Sequence, residues 1–492
     1  MKFSLSLPLI LGVFMVNCNK NEDMSQKEKP LPQPPLKQEV QTIPATSYTL
    51  SEDGKTLSHW KDEAATSIDL SEDKVLNKIT TIAQGAFKGN KKITKIVLPT
   101  TLTTIGEKAF QGCTELTSVT RPASITQGKY RGDFFASANK SIPASVEEGL
   151  LLPEGVISIG EHAFSYCGKI KKIILPKGVT KILSGTFSHC ETLEEVILPE
   201  GFTHIDQEAF ASCKNLKSIN FPNSLTHIGK NAFEETKLSV LILPDSVKNI
   251  GELAFSNCIA LTSVTLSKSL TSIENNTFLG CTALTSVTIP KGIVSIGEGA
   301  FAYCSTLATI TIPSGVISIG KDAFQSTALT SVTLPEGIVS IKKGAFGFCK
   351  QLTSVTLSKG LTEIAEEAFM GCTALTSVTF PDTLTSIGES AFSGCKSISS
   401  IVIPYQVTNI GMSAFDDCIA LTSVTVKPTT PPNIPDNEFI IFSYCKGNPD
   451  GEGCHWERLS DVLRIYVPQA SVEAYKKAKG WRHYAERIAA IP

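Results

Sequence analysis

The chain has 492 residues, with 45 basic and 47 acidic side chains and a formal net charge of −2. This balance gives no electrostatic reason to expect a nucleic-acid partner or an anionic membrane surface, because both are recognised by an excess of positive charge. A chain of this length would ordinarily form about three domains, unless internal repeats let it grow without one closed core.

The N-terminus has the features of an export signal. Lys2 precedes an apolar run, Phe3 to Val16, that is too short to span a bilayer. The run ends in Met15-Val16-Asn17-Cys18, which resembles a bacterial lipobox, although its first and third positions depart from the usual Leu and small residue. We interpret residues 1–17 as a lipoprotein-type signal peptide and Cys18 as the lipidation site. The alternative is an ordinary secretory signal with an incidental Cys.

Two short segments follow the signal. Residues 18–45 are polar and rich in Pro, so they predict a disordered tether that holds the folded part away from the membrane. Residues 46–64 contain two alternating runs around Asp53-Gly54, which predict a β-hairpin that caps the open end of a sheet.

A 23-residue repeat dominates residues 65–426, with an irregular coil at 121–152 where a functional insertion is the alternative. The step between anchor phenylalanines is 23 almost everywhere, but 22 after Phe233 and Phe324 and 54 after Phe110. These anchors are Phe87, Phe110, Phe164, Phe187, Phe210, Phe233, Phe255, Phe278, Phe301, Phe324, Phe346, Phe369, Phe392 and Phe415.

Each repeat reads as one coil of a solenoid. A strand such as Val264 to Leu266 alternates inward and outward residues, and in most repeats a Pro then ends the strand. A second apolar pair follows, often with a Gly after it, and Ala-Phe forms a turn of helix that places the Phe in the interior. We therefore predict a repeat solenoid, a right-handed superhelix of about 14–15 coils of 23 residues, with parallel β-strands and short helical turns.

A Cys stands three residues after the anchor Phe in eleven repeats, and we interpret these residues as buried free thiols. Interstrand disulfides and a metal site are the alternatives, but successive Cys lie too far apart in sequence for a compact zinc pattern. The eleven are Cys113, Cys167, Cys190, Cys213, Cys258, Cys281, Cys304, Cys349, Cys372, Cys395 and Cys418.

Residues 427–492 lie beyond the repeat. Cys445 and Cys454 flank a short polar loop, which in an exported protein favours a disulfide, with a metal site that includes His455 as the alternative. Residues 463–468 predict a last strand, and apolar residues at helical spacing from Val472 to Ile488 predict capping helices.

The repeat resembles the BspA-like (treponemal-type) leucine-rich repeat family. The motif that carries the resemblance is Leu329-Thr-Ser-Val-Thr-Leu-Pro335-Glu-Gly-Ile-Val-Ser-Ile341, with Gly344-Ala-Phe346 and Cys349. The resemblance covers about residues 65–490 and implies a leucine-rich repeat solenoid. It also implies an exported or surface protein of a bacterium, and together with the lipobox-like segment at Cys18 it predicts a surface lipoprotein that is lipid-anchored to the outer membrane. Such proteins are often adhesins that bind host matrix proteins such as fibronectin and fibrinogen, or the surface proteins of other bacteria.

The outward residues of the first strands form a row that could bind a protein. In the middle of the chain this row carries isoleucines flanked by charges, whereas Thr dominates its C-terminal half. Apolar surface rimmed by charge is typical of interaction sites, although Ile and Thr also simply suit strands. The candidate patch comprises Ile174, Ile197, Ile242, Lys172, Glu195 and Lys217.

The sequence contains no supported catalytic motif, and we expect no enzyme activity, cofactor or metal. We therefore predict a non-enzymatic cell-envelope binding protein that acts as a surface adhesin. A periplasmic or surface scaffold without a host ligand is the alternative, and a hydrolase within residues 121–152 or 427–460 is the third.

Overall fold

Two short strands and a Phe-centred series of turns make up each coil. The computed structural model describes residues 42–122, 149–436, 441–446, 455–458 and 462–492. Cys18, the tether up to residue 41, most of the irregular coil at 121–152, and Cys454 therefore lie outside the described residues.

The first strands bury their central apolar residue and turn its neighbours outward. In Ser263–Thr265, for example, Val264 is buried, whereas Ser263 and Thr265 point away from the core. These strands are β3 Ser67–Asp69, β5 Lys95–Val97, β7 Ser118–Thr120, β8 Leu150–Leu151, β10 Lys172–Ile174, β12 Glu195–Ile197, β14 Ser218–Ile219, β16 Val240–Ile242, β18 Ser263–Thr265, β20 Ser286–Thr288, β23 Ser331–Thr333, β25 Ser354–Thr356, β28 Ser400–Ile403, β30 Ser423–Val426, β33 Arg464–Val467 and β34 Ile488–Ala490.

The second strands follow the Pro turn and form their own sheets along another side of the solenoid. Each has two residues, the second of which is an Ile in the core. They are β4 Thr81–Ile82, β6 Thr104–Ile105, β9 Ser158–Ile159, β11 Lys181–Ile182, β13 His204–Ile205, β15 His227–Ile228, β17 Asn249–Ile250, β19 Ser272–Ile273, β21 Ser295–Ile296, β22 Ser318–Ile319, β24 Ser340–Ile341, β26 Glu363–Ile364, β27 Ser386–Ile387 and β29 Asn409–Ile410.

Equivalent residues of successive coils pair in parallel register. Ser263, Val264 and Thr265 lie opposite Ser286, Val287 and Thr288, the residues 23 positions later in the sequence. The repeat solenoid predicted from the sequence is thereby confirmed. It has about 17 turns of about 23 residues, because units at both ends that lack the repeat motif also stack on it.

The anchor phenylalanines form one continuous aromatic column through the core. Neighbouring rings are stacked, with centroids 5.5 Å apart for Phe301 and Phe324 and again for Phe324 and Phe346. Trp60 extends the column at the N-terminal end and Phe442 at the C-terminal end. No coil could bury its ring alone, so each coil depends on its neighbours for stability.

The segment around each anchor Phe consists of successive tight turns in place of the helical turn expected from the sequence. In the coil of Phe301, the backbone N–H groups of Ala302 and Cys304 bond to carbonyls three residues earlier. The N–H groups of Gly299, Phe301 and Tyr303 instead bond to carbonyls of the next coil. This alternation requires a positive φ two residues before and two residues after the anchor Phe, and all fourteen anchored coils have it.

Distinct structures lie at both ends of the solenoid. The N-terminal hairpin pairs β1 Tyr48–Leu50 with β2 Thr56–Trp60, and β2 continues into the sheet of second strands. At the C-terminal end, α1 Val472–Lys477 and a 3-10 helix, Trp481–Arg487, pack against the final coil. Shorter 3-10 segments are Ala45–Ser47, Leu76–Lys78 and Gln469–Ser471, and a separate antiparallel pair is β31 Ser443–Lys446 with β32 His455–Arg458.

The side chains of the terminal segment are anchored to the Pro-rich run that follows the repeat. The hydroxyl of Tyr475 donates to the carbonyl of Pro428 over 2.7 Å, and the indole N–H of Trp481 donates to the carbonyl of Pro432 over 2.8 Å. Both rings are buried. Because the polar ends of these large side chains are satisfied, their apolar surface can cover the last coils without an unpaired buried donor.

Candidate protein-binding surface

The outer row, which we define as the residue directly after the buried residue of each first strand, contains an apolar stretch that begins at the fourth of these strands, β8. Ile174 lies directly opposite Leu151 on one side and Ile197 on the other. All three side chains are half-buried. Because adjacent strands in a sheet lie about 4.8 Å apart, the three form a continuous apolar strip across three coils.

Ile242, the third isoleucine of the predicted patch, lies apart from this strip. Asn220 occupies the outer row between Ile197 and Ile242, and its side-chain amide both accepts from the N–H and donates to the carbonyl of Leu198. This side-chain contact ends β14 at Ile219, and β16 begins a separate three-stranded sheet. Ile242 is 66% exposed and pairs with Thr265 in that sheet.

Leu151 is the residue that the sequence analysis missed. The segment Leu150-Leu151-Leu152-Pro153 fits the strand-and-Pro part of the repeat template, and its middle Leu falls on the outer row. The signal was therefore present, but it was obscured by the long irregular segment that precedes it. The candidate patch is best described as Leu151, Ile174 and Ile197, which we call the apolar strip.

The charged residues beside the apolar strip are paired with one another. The ammonium of Lys172 lies 2.8 Å from the carboxylate of Glu195 in the next coil, and Lys217 lies 3.0 Å from Glu194. Ion pairs that solvent reaches, as it does here at least in part, contribute about 0–1 kcal/mol to stability. Their main effect here is to leave little uncompensated charge at the rim, so the strip would attract a partner chiefly through its apolar surface.

The C-terminal half of the outer row is different in chemistry. Its residues are mostly threonines, and serines stand beside them, as in Ser286–Thr288, Ser331–Thr333 and Ser354–Thr356. These side chains are exposed and uncharged. The fold therefore accepts Thr at the position where the apolar strip carries Ile or Leu.

The repeat cysteines are buried free thiols. Each Sγ donates to the carbonyl of the anchor Phe in the preceding coil, over 3.2 Å in the cases of Cys281 and Cys304. Burial raises the pKa of Cys113, Cys190 and Cys304 to about 12, so these thiols remain protonated donors near neutral pH. Reactive chemistry at these cysteines would require the thiolate, which burial disfavours.

Three anchored coils lack this Cys: the first carries Asn90 in its place, and two later coils carry Thr236 and Thr327. The hydroxyl of Thr236 lies 2.9 Å from the carbonyl of Phe233 and 3.3 Å from the Sγ of Cys258. The two coils with Thr are those with the 22-residue step, and both coincide with interruptions in the sheets of first strands. Each Thr hydroxyl donates to the Phe carbonyl of its own coil, whereas each repeat Cys donates to the Phe carbonyl of the preceding coil.

His204 and His227 are titratable side chains on adjacent second strands. They lie opposite each other, with ring centroids 5.7 Å apart. Burial lowers the pKa of His227, and the neighbouring His204 contributes in the same direction. Within the described ranges, no group of three or more His, Cys, Asp or Glu side chains could hold a metal ion.

The predicted disulfide between Cys445 and Cys454 is not tested by the structure. The backbone of Cys445 lies opposite that of Trp456 in the antiparallel pair of β31 and β32. Cys454 is outside the described residues. The disulfide remains a prediction from the sequence.

Comparisons with known proteins identify the repeat. A family model described as BspA type leucine rich repeat region, in six copies, matches residues 56–142, 145–259, 226–353 and 317–447, which together exceed half of the chain. A comparison with curated protein sequences finds no match. In the part of the chain that the structure describes, no helix is long and apolar enough to cross a membrane.

The solved structures that are similar to this chain include two bacterial leucine-rich repeat proteins. A leucine-rich repeat protein from Bacteroides ovatus ATCC 8483 is 27% identical, with a TM-score of 0.53 over 68% of this chain and 88% of that chain. A leucine rich cell surface protein from Faecalibacterium prausnitzii A2-165 is also 27% identical, with a TM-score of 0.45 over 78% of this chain and 94% of that chain. The repeat, the stacked coils and the family match agree, and the chain belongs to the BspA-type leucine-rich repeat family.

Proposed function

We propose that this chain is an exported, non-enzymatic binding protein of the cell envelope, and that it acts as a surface adhesin. A lipid anchor at Cys18 would hold it on the outer membrane, and its apolar strip would bind a host matrix protein or a surface protein of another bacterium. Leucine-rich repeat proteins generally mediate protein–protein binding, and the family and the solenoid fold are typically non-catalytic. These general properties support the proposal.

The observation that carries the proposal is the contrast within the outer row. Leu151, Ile174 and Ile197 stand side by side where the C-terminal coils carry Thr. The fold does not require an apolar side chain at this position, because coils with Thr stack in the same register. Contiguous apolar residues beside mutually paired charges match the composition of a binding-site core with a polar rim.

The test replaces Ile174 and Ile197 together by Thr, the residue that the fold already uses in that row. Each Ile is half-buried within the protein, so the further burial on binding would stabilise a complex by about 1 kcal/mol per side chain. We expect binding of immobilised fibronectin or fibrinogen to weaken by about tenfold or more, since 1.4 kcal/mol corresponds to a factor of ten. The unfolding temperature should change little.

A matched control is available on the second-strand side of the solenoid. Val294 and Ile317 are exposed there in adjacent coils, at a position where other coils carry Thr. Their double substitution by Thr removes similar apolar surface elsewhere and should leave binding unchanged. Equal loss of binding in both double variants, or a large loss of stability in the first, would show that the apolar strip is not a specific contact surface.

The second candidate function is a periplasmic or surface scaffold without a host ligand. It is favoured by the length of the uncharged Ser and Thr surface on the C-terminal coils, which offers neither an apolar core nor a charged anchor for a tight complex. Wild-type protein that binds neither matrix proteins nor the surfaces of partner bacteria would support this function over that of an adhesin.

A further inference from the structure

Three coils place a large aromatic side chain at the second left-handed position, two residues after the anchor Phe. These are Tyr166, Tyr303 and Phe348, with φ values of 60°, 60° and 58°. Left-handed backbone is unfavourable for L residues, least so for Gly and Asn, and a bulky side chain there is unusual. Other coils follow this preference, with Gly280, Gly371 and Asn257 at the same position.

Burial does not offset this conformational cost in any of the three coils, and Tyr166 is 51% exposed. The side chain of Tyr303 is 52% exposed and that of Phe348 is 39% exposed. Tyr166 differs, because its ring stacks on His189 of the next coil with centroids 4.3 Å apart and planes 9° apart. Among the ring contacts of the described residues, none involves Tyr303 or Phe348.

Tyr303 and Phe348 occupy equivalent positions two coils apart. The anchor rings of the same coils advance by 5.5 Å per coil, so the two exposed rings lie about 11 Å apart along the solenoid. The ring of Phe348 leans over the next coil, where a Cβ at Gly371 would lie 2.8 Å from its Cδ1. The residues two positions after the anchor Phe form a row along the solenoid that is distinct from the outer row. Ser326 holds this position in the coil between the two rings, and the row carries no charged residue from Gly280 to Gly394.

We propose that Tyr303 and Phe348 form a platform for an extended, uncharged chain of β-1,4-linked pyranose sugars. The apolar C–H face of a pyranose stacks on an aromatic ring while the sugar hydroxyls remain hydrated, so no deep pocket is needed. Every second sugar of such a chain presents the same face, and that repeat is close to the spacing of the two rings. The absence of charge in the row matches a neutral polymer better than an anionic one.

A peptide strand fits this row less well. The backbone N–H groups of Tyr303 and Phe348 are already bonded to the carbonyls of Gln325 and Met370 in the next coil. The row therefore offers no free donors for strand addition, and it is not a groove that could enclose an amphipathic helix. Separate aromatic platforms at a regular spacing suit a partner whose own units repeat.

The test measures the binding of cellohexaose by calorimetry and retention of the full protein in gels that contain hydroxyethylcellulose. Wild-type protein should bind both probes, and Tyr303→Gly or Phe348→Gly should weaken binding by about tenfold each. Gly favours a positive φ, so both variants should keep or raise the unfolding temperature. Tyr166→Gly, which removes a ring already stacked within the protein, should bind as the wild type does.

Several results would overturn this proposal. Wild-type protein that binds neither probe, or equal binding by wild type and both variants, would show that the row is not a glycan platform. A marked fall in the unfolding temperature of Tyr303→Gly and Phe348→Gly would show that the rings are structural. Loss of fibronectin binding in these variants, without glucan binding by the wild type, would assign the row to a protein partner, whereas failure of the apolar strip leaves the glucan experiment unaffected.

Discussion

The Sγ atom of Cys281 lies 3.2 Å from the backbone carbonyl oxygen of Phe255, the anchor residue of the preceding coil. The corresponding contact occurs at all eleven repeat cysteines, so the thiols form a ladder of donors parallel to the aromatic column. Each thiol thereby links two coils through a buried carbonyl that water cannot reach.

Removal of one thiol should destabilise the solenoid measurably. Cys281→Ala deletes the donor to Phe255 and leaves a small cavity, so we expect a loss of about 1–2 kcal/mol in the free energy of unfolding. Urea denaturation followed by circular dichroism measures this change. Thr288→Ala, at an exposed position of the outer row, should cost less than about 0.5 kcal/mol. Equal effects of the two substitutions would contradict a structural role for the thiol.

The ladder thiols should be chemically silent in the native protein. Burial raises the pKa of Cys190 to about 12, so the reactive thiolate is scarce at pH 8 as well as inaccessible. Peptide mapping after treatment with an alkylating reagent should therefore find these eleven residues unmodified in native protein and fully modified after denaturation. Rapid modification of Cys190 or Cys281 without unfolding would show that the coils open far more readily than the packing indicates.

The Gly residues after the second strand lie unusually close to the backbone of the preceding coil. A Cβ on Gly320 would lie 2.5 Å from the backbone nitrogen of Glu298, and its φ is not in the left-handed region. Gly320→Ala should therefore destabilise the protein by about 1–3 kcal/mol through overpacking. Ala365 holds the equivalent position in a later coil, and Ala365→Gly should cost no more than about 1 kcal/mol.

The denaturant midpoints of Gly320→Ala and Ala365→Gly measure these changes in stability. A Gly320→Ala variant as stable as the wild type would mean that the adjacent coils separate easily to admit a methyl group. In the sequence a Gly often, but not always, follows the second apolar pair, as Ala365 shows. The close contact with the preceding coil explains why Gly is common at this position, whereas the backbone angle does not explain it.

Asp416 connects the last anchored coil to the segment that follows the repeat. Its carboxylate accepts from the N–H and the hydroxyl of Ser443, over 3.1 Å and 2.7 Å, and it is buried. Burial raises the pKa of this carboxyl above its ordinary value, an effect larger than the opposing one of its hydrogen bonds. The native state thus binds the proton more tightly than the unfolded chain does.

Protonated Asp416 therefore stabilises the native state at acidic pH. This contribution is lost as the pH rises from the ordinary Asp pKa through the raised native pKa. Asp416→Asn keeps an oxygen acceptor without the charge. The variant should be at least as stable as the wild type at neutral pH, with a flatter dependence of unfolding temperature on pH in that window. A substantially less stable variant with an unchanged pH slope would show that the charge itself is favourable.

The sequence alone was enough to predict the period, the direction of the strands and the buried residues. One template recurs many times, so a position that is ambiguous in one repeat is resolved by comparison with the others. It did not reveal the left-handed positions beside each anchor Phe. Nineteen of those residues are not Gly, and side chains such as Leu253 and Phe348 argue against a positive φ when judged alone. The requirement arises from hydrogen bonds to the next coil, which no single repeat contains.

The candidate surface was predictable only in part for a related reason. The sequence placed Ile174 and Ile197 on one face, and the structure brings them together. It could not show that the side chain of Asn220 would replace a backbone partner of Leu198 and divide the row before Ile242. Leu151 was missed because the irregular coil hides its place in the repeat.

The proposed adhesin function requires that the repeat region of the protein be exposed outside the cell. The most direct measurement is protease treatment of intact producing cells, with lysed cells as control and an immunoblot for the repeat region. We predict loss of the protein from intact cells while a periplasmic marker is preserved. Protection of the repeat region until the cells are lysed would contradict the adhesin function and would direct the search to partners within the envelope.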